Sequence, residues 1–100
     1  MKEIKLYRDG KRPLVFNGEE IASASTRDNN STRWTRAEVY RSKSGKVIVG
    51  VAHLTCWQGE RDSFQAAVFT TTEEAVSYIE LEVPEIAPEI ADALGVKETI

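Results

Sequence analysis

The sequence predicts an α+β domain: an antiparallel β-meander of four to five strands, followed by two C-terminal helices packed on the sheet. Three observations lead there. Apolar and polar residues alternate with a period of two through most of residues 3–70. Turn-forming dipeptides break that alternation at short intervals. Past Thr71 the apolar residues recur instead at helical spacing.

Taken in order, Glu3–Arg8 places Ile4 and Leu6 on one face and Lys5 and Tyr7 on the other, as a strand requires. Asp9-Gly10 is a turn signal, and Leu14-Val15-Phe16 begins the return strand of a first hairpin. Asn17-Gly18 reads as another turn, after which Ile21, Ala22 and Ala24 fit either a strand or a short helical piece. Ser25–Arg33 has no aliphatic or aromatic side chain to bury and reads as a flexible loop. Trp34–Arg41 and Val47–Trp57 are β-rich runs joined by Ser42-Lys43-Ser44-Gly45, the clearest hairpin in the chain. A further hairpin spans Gln58–Asp62 and leads into Phe64–Phe69. Apolar residues on both faces of Val47–Leu54 predict a central strand covered on both sides, by a helix or by a second protomer.

Thr71-Thr72-Glu73-Glu74 fits a capping box, in which the Thr71 hydroxyl accepts from the Glu74 amide while the Glu74 carboxylate reaches back. Ala75, Val76, Ile79 and Val83 then mark a helix from Thr72 to about Glu82, ended by Pro84. Pro88 suits the first turn of a second helix, Pro88–Leu94, with Gly95 as its stop and Ile86, Ile90 and Leu94 facing inward. The expected core is Ile4, Leu6, Leu14, Phe16, Val39, Ile48, Leu54, Val68, Val76, Ile79, Ile90 and Leu94.

A chain of 100 residues has the size of one domain, and 41% apolar with 29% charged residues is a globular balance. No apolar run approaches the roughly 20 residues of a membrane span, so no membrane contact is expected. The N-terminal alternation is unlike a secretory signal, and one cysteine, Cys56, cannot form an internal disulfide; both favour a cytoplasmic location. The net charge of −3 conceals a separation: residues 1–58 carry eleven Lys/Arg against six Asp/Glu, or +5, and residues 59–100 carry two against ten, or −8.

No catalytic, metal or cofactor constellation emerges. His53 and Cys56 are three apart, which places them on opposite faces of a strand, and Cys56 reads as a small buried hydrophobe. One His and one Cys show no zinc-ligand spacing, and the glycines form no phosphate-cradling loop. The helix carboxylates read as a solvated face. What remains is basic and aromatic. An extended Trp34–Arg41 puts Trp34, Arg36, Glu38 and Tyr40 on one face, with Arg33, Arg41 and Lys43 close by. Rings beside guanidinium groups suit single-stranded nucleic acid or an acidic protein surface. The candidate binding residues are therefore Arg33, Trp34, Arg36, Tyr40, Arg41 and Lys43.

The stretches Phe16-Asn17-Gly18-Glu19-Glu20-Ile21-Ala22 and Val39–Val47, and the Val68 strand running into Thr72-Glu73-Glu74, resemble the bacterial EXLDI-type proteins. That family closes on Glu-x-Leu-Asp-Ile, of which only Ile100 is matched in Val96–Ile100. The resemblance implies a small bacterial accessory protein rather than an enzyme and carries over no functional residue. The functional expectation is a non-enzymatic module without cofactor, acting through a protein partner not identifiable from sequence. Edge strands leave homodimerisation open. Single-stranded nucleic-acid binding is the alternative; a small enzyme built around His53 and a helix carboxylate comes third.

Overall fold

The computed structural model describes residues 2–27 and 32–96. Five antiparallel strands, β1 (Lys2–Arg8), β2 (Lys11–Ser25), β3 (Arg33–Ser42), β4 (Val47–Thr55) and β5 (Ser63–Phe69), form one sheet in the order β1-β2-β3-β4-β5. Helices α1 (Thr72–Glu82) and α2 (Ala87–Leu94) follow and pack on one face. Positions 28–31 of the expected flexible loop, and the closing residues compared with the EXLDI motif from position 97 onward, lie outside the described residues.

Strand β2 departs from the sequence reading. Asn17-Gly18 makes no turn; the chain runs through it extended, with Lys2 of β1 on one side of Gly18 and Ser42 of β3 on the other. The glycine serves close approach instead. A Cβ at position 18 would stand 2.5 Å from the Arg41 carbonyl oxygen, well inside contact distance. A little further on, the β2–β3 register slips by one residue between Glu20 and Ala22, a β-bulge at Ile21. Such a slip exchanges the faces. Before it, Leu14, Phe16 and Glu20 share a face with Tyr40 and Ile48; after it, Ala22 and Ala24 share the opposite face with Val39 and Ala37.

That second face holds the main core. Ala22, Ala24, Ala37, Val39, Val47, Val49 and Val51 meet Ala75, Ile79, Val83, Ile86, Ala87 and Ile90 from the helical segment, all buried. The alanines on β2 and β3 leave the depth that α2 needs to reach β2. The capping box forms as expected: Thr71 Oγ1 accepts from the Glu74 amide at 3.2 Å, and Glu74 accepts in return from the Thr71 amide at 3.2 Å. The Thr70 hydroxyl, foremost, with the neighbouring amides, holds the Glu74 carboxyl below the usual range. Helix α2 begins one residue before Pro88 and stops at Gly95, whose φ of 73° is left-handed.

The first face, which lacks helices, is covered by the sheet itself. The sheet curls into a half-barrel until β1 touches β5: the Asp9 amide donates to the Phe64 carbonyl at 2.9 Å, and the Asp9 carboxylate accepts from the Phe64 amide at 3.2 Å. The rings of Tyr7 and Phe64 lie 6.3 Å apart across this seam. Leu6 reaches across the curl to Gly50 on β4. The expected two-sided cover of β4 is therefore met on one side by helices and on the other by curvature rather than by a protomer.

Two burial expectations are corrected. Val68 is 50% exposed, because it points into the open end of the curl, where no helix follows. Cys56 is exposed as well, since β4 ends at Thr55 and the cysteine opens the connection to β5.

Candidate binding surface

The concave face is built from alternate residues of every strand, and it divides into two hollows. At the end beside the Ser42–Lys46 turn, Leu14, Val15, Phe16, Ile48 and Val68 line a hollow of about 180 Å³, bordered by Ser42, Ser44 and Lys46. Gly45, at φ 89°, lets the turn close tightly, and Ser42 Oγ accepts from the Lys46 amide at 3.0 Å. Lys43 and Lys46 are exposed around this end. Val68 is half exposed in this hollow, whereas Val15, 56% exposed, borders it from the opposite face of β2.

Further along, Leu6, Arg36, Glu38, Tyr40, Gly50, Ala52 and Phe64 help to line a second hollow of about 210 Å³. The Phe16 and Tyr40 rings, edge to face at 5.7 Å, stand between the two, each lining one. Inside the second hollow the Tyr40 hydroxyl donates to Glu38, and Arg36 Nε lies 2.8 Å from the other Glu38 oxygen. Burial, with the Glu38 carboxylate alongside, pushes the Tyr40 hydroxyl well above its usual range. Glu20 is also raised, first by desolvation and then by Glu38 beside it, while Arg36 and Lys2 pull the other way.

The six residues singled out in the sequence do not form one exposed patch. Arg36 and Tyr40 are brought together on the concave face, but Tyr40 is only 8% exposed and both are committed to Glu38. Trp34 shares that face at its far end, half-buried, with the Arg27 guanidinium 4.1 Å from its ring centre. Arg33 is tied to Glu60 at 2.6 Å. Arg41 lies on the opposite face, in register with Val47, and Lys43 projects from the turn. Within this set Tyr40 meets the Phe16 ring edge, and one face of Trp34 is covered by Arg27. Sequence reasoning placed Leu14, Phe16, Ile48 and Val68 in the core; Ile48 is buried there, but Leu14 and Phe16 are only half-buried and Val68 is exposed, because the curl of the five-stranded sheet, which has no local signature, opens at that end.

A groove of about 750 Å³ on the helix side, beyond the helices, holds His53 with Thr35, Ser63, Glu60 and Glu85. His53 Nδ1 is 2.9 Å from the Thr35 hydroxyl, and Glu60 is engaged by Arg33 and by Thr55 at 2.5 Å. Among the described residues no hydrogen bond joins His53 to a carboxylate, and no cluster of metal-ligating side chains occurs. No helix there is long and apolar enough to cross a membrane.

Comparison with family models, with curated proteins and with solved structures finds no match for this chain.

Proposed function

We propose that the protein is a non-enzymatic binding module, of the accessory kind that the EXLDI resemblance implies, and that it takes an acidic protein segment carrying one aliphatic or aromatic anchor. The observation that carries this reading is the open hollow at the turn end of the half-barrel. Val68 remains half exposed there, beside deeper apolar walls from Leu14, Phe16 and Ile48. An anchor seated in it is worth roughly 1.5–3 kcal/mol of apolar burial. Lys46 borders the entrance and Lys43 is exposed on the adjoining turn, so flanking carboxylates on the partner are favoured and lysines disfavoured. The test is affinity capture from host lysate with nuclease present, comparing the wild-type chain with Val68→Lys and Lys46→Glu. A partner lost with Val68→Lys and weakened with Lys46→Glu supports the reading. Capture that disappears with nuclease supports the nucleic-acid alternative, and a partner retained by Val68→Lys places recognition elsewhere. A second copy of the chain as the partner would show as concentration-dependent mass in sedimentation equilibrium, abolished by the same substitution.

A further inference from the structure

We infer that the inner hollow, beyond the Phe16–Tyr40 pair, is a binding site for a small monocarboxylic acid with a compact apolar body. Its walls are divided in the manner of such a ligand. Leu6, Phe64 and Ala52 offer apolar surface, with the Leu6 side chain seated in contact over Gly50. At about 210 Å³ it is smaller than the roughly 300 Å³ at which drug-sized sites begin, so only a fragment-sized molecule fits.

The charged group of that ligand is specified by Arg36. Its Nε is taken by Glu38, and among the described residues the two terminal amino groups have no partner. Glu38 is in turn satisfied by Arg36 and by the Tyr40 hydroxyl, which leaves it poorly placed to attract a cation. The pair therefore acts as a brace: Glu38 fixes the guanidinium plane, and its outer edge presents parallel N–H donors of the spacing a carboxylate accepts. A ligand amide or alcohol would gain the apolar contacts without the charge-assisted pair.

The experiment is an NMR titration of the intact, isotope-labelled chain with phenylacetate and, separately, with the uncharged phenylacetamide. The expected result is that phenylacetate moves the resonances of Leu6, Arg36, Gly50 and Phe64, with phenylacetamide at least tenfold weaker. In Arg36→Gln the acid should fall to the level of the amide. Val68→Lys, in the outer hollow, should leave the titration unchanged, so failure of the partner-binding proposal does not disturb this one. Equal binding of acid and amide, unchanged acid binding in Arg36→Gln, shifts confined to other residues, or no shift with either compound would each overturn the assignment.

Discussion

Leu6 of β1 closes over Gly50 of β4: a Cβ at position 50 would stand 3.4 Å from both Leu6 methyl carbons. The contact joins strands that are not neighbours in the sheet, so it reports directly on the curl. Gly50→Ala should be tolerated within about 1 kcal/mol, because the distance is a tight but ordinary contact. Gly50→Val should destabilise by about 1–3 kcal/mol through overpacking, measured by urea denaturation. A neutral valine would mean that the curl is looser than the Leu6 contact indicates.

Gly18 is the stricter position. Its missing Cβ would meet backbone, the Arg41 carbonyl oxygen at 2.5 Å and the Ser42 Cα at 3.1 Å, and backbone cannot swing aside as a side chain can. Gly18→Ala should cost about 3 kcal/mol or more, read from the shift of the unfolding midpoint. Were Asn17-Gly18 a turn, alanine would instead be mild or fatal according to φ, and the position has no left-handed φ.

The capping box gives a third expectation. Thr71→Ala removes the oxygen that accepts from the Glu74 amide and should cost about 1 kcal/mol, whereas Thr71→Ser should restore most of it. Amide exchange in the first turn of α1 should accelerate in the alanine variant and not in the serine variant.

Glu20 should make stability depend on pH in an unusual direction. Its folded-state carboxyl is raised, so just above pH 4.5 the native state holds a proton that the unfolded chain has released. Stability from this group is therefore full at acid pH and is lost as pH rises through the raised value. Glu20→Gln should gain on wild type as pH increases from about 4 to 7, with the two alike at the acid end. A constant difference across that range would show that neither desolvation nor the neighbouring Glu38 raises the Glu20 carboxyl in the folded chain.

Much of the fold was legible because it is locally encoded. The Ser42–Gly45 hairpin, the Thr71 cap and the Gly95 stop each rest on residues that act on their immediate neighbours. Segment 17–24 was not legible, because two non-local facts govern it: the close approach of β3 to Gly18 and the bulge at Ile21 that exchanges faces. With the faces exchanged, Ala22 and Ala24 belong to the helix-side core, and small alanines announce no depth until α2 is seen above them. The candidate surface failed for a related reason. Period two correctly put Trp34, Arg36, Glu38 and Tyr40 on one face, but nothing in the strand says that this face is concave, where Glu38 can hold both Arg36 and Tyr40.

The helical segment from Thr72 to Leu94 contains seven carboxylates and no lysine or arginine, and both helices lie on one side of a sheet rich in basic residues. The molecule is accordingly a permanent electric dipole, far more polar in the electrical sense than a net charge of −3 implies. In an applied or surface field it will take up a preferred orientation, presenting the helical layer to positive surfaces and the opposite side to negative ones. At low salt the chain should therefore be retained on both anion- and cation-exchange resin despite its one overall sign. The dipole also means that an approaching charged partner is turned before it is bound, and that this turning fades once the ionic strength brings the screening length below the width of the molecule.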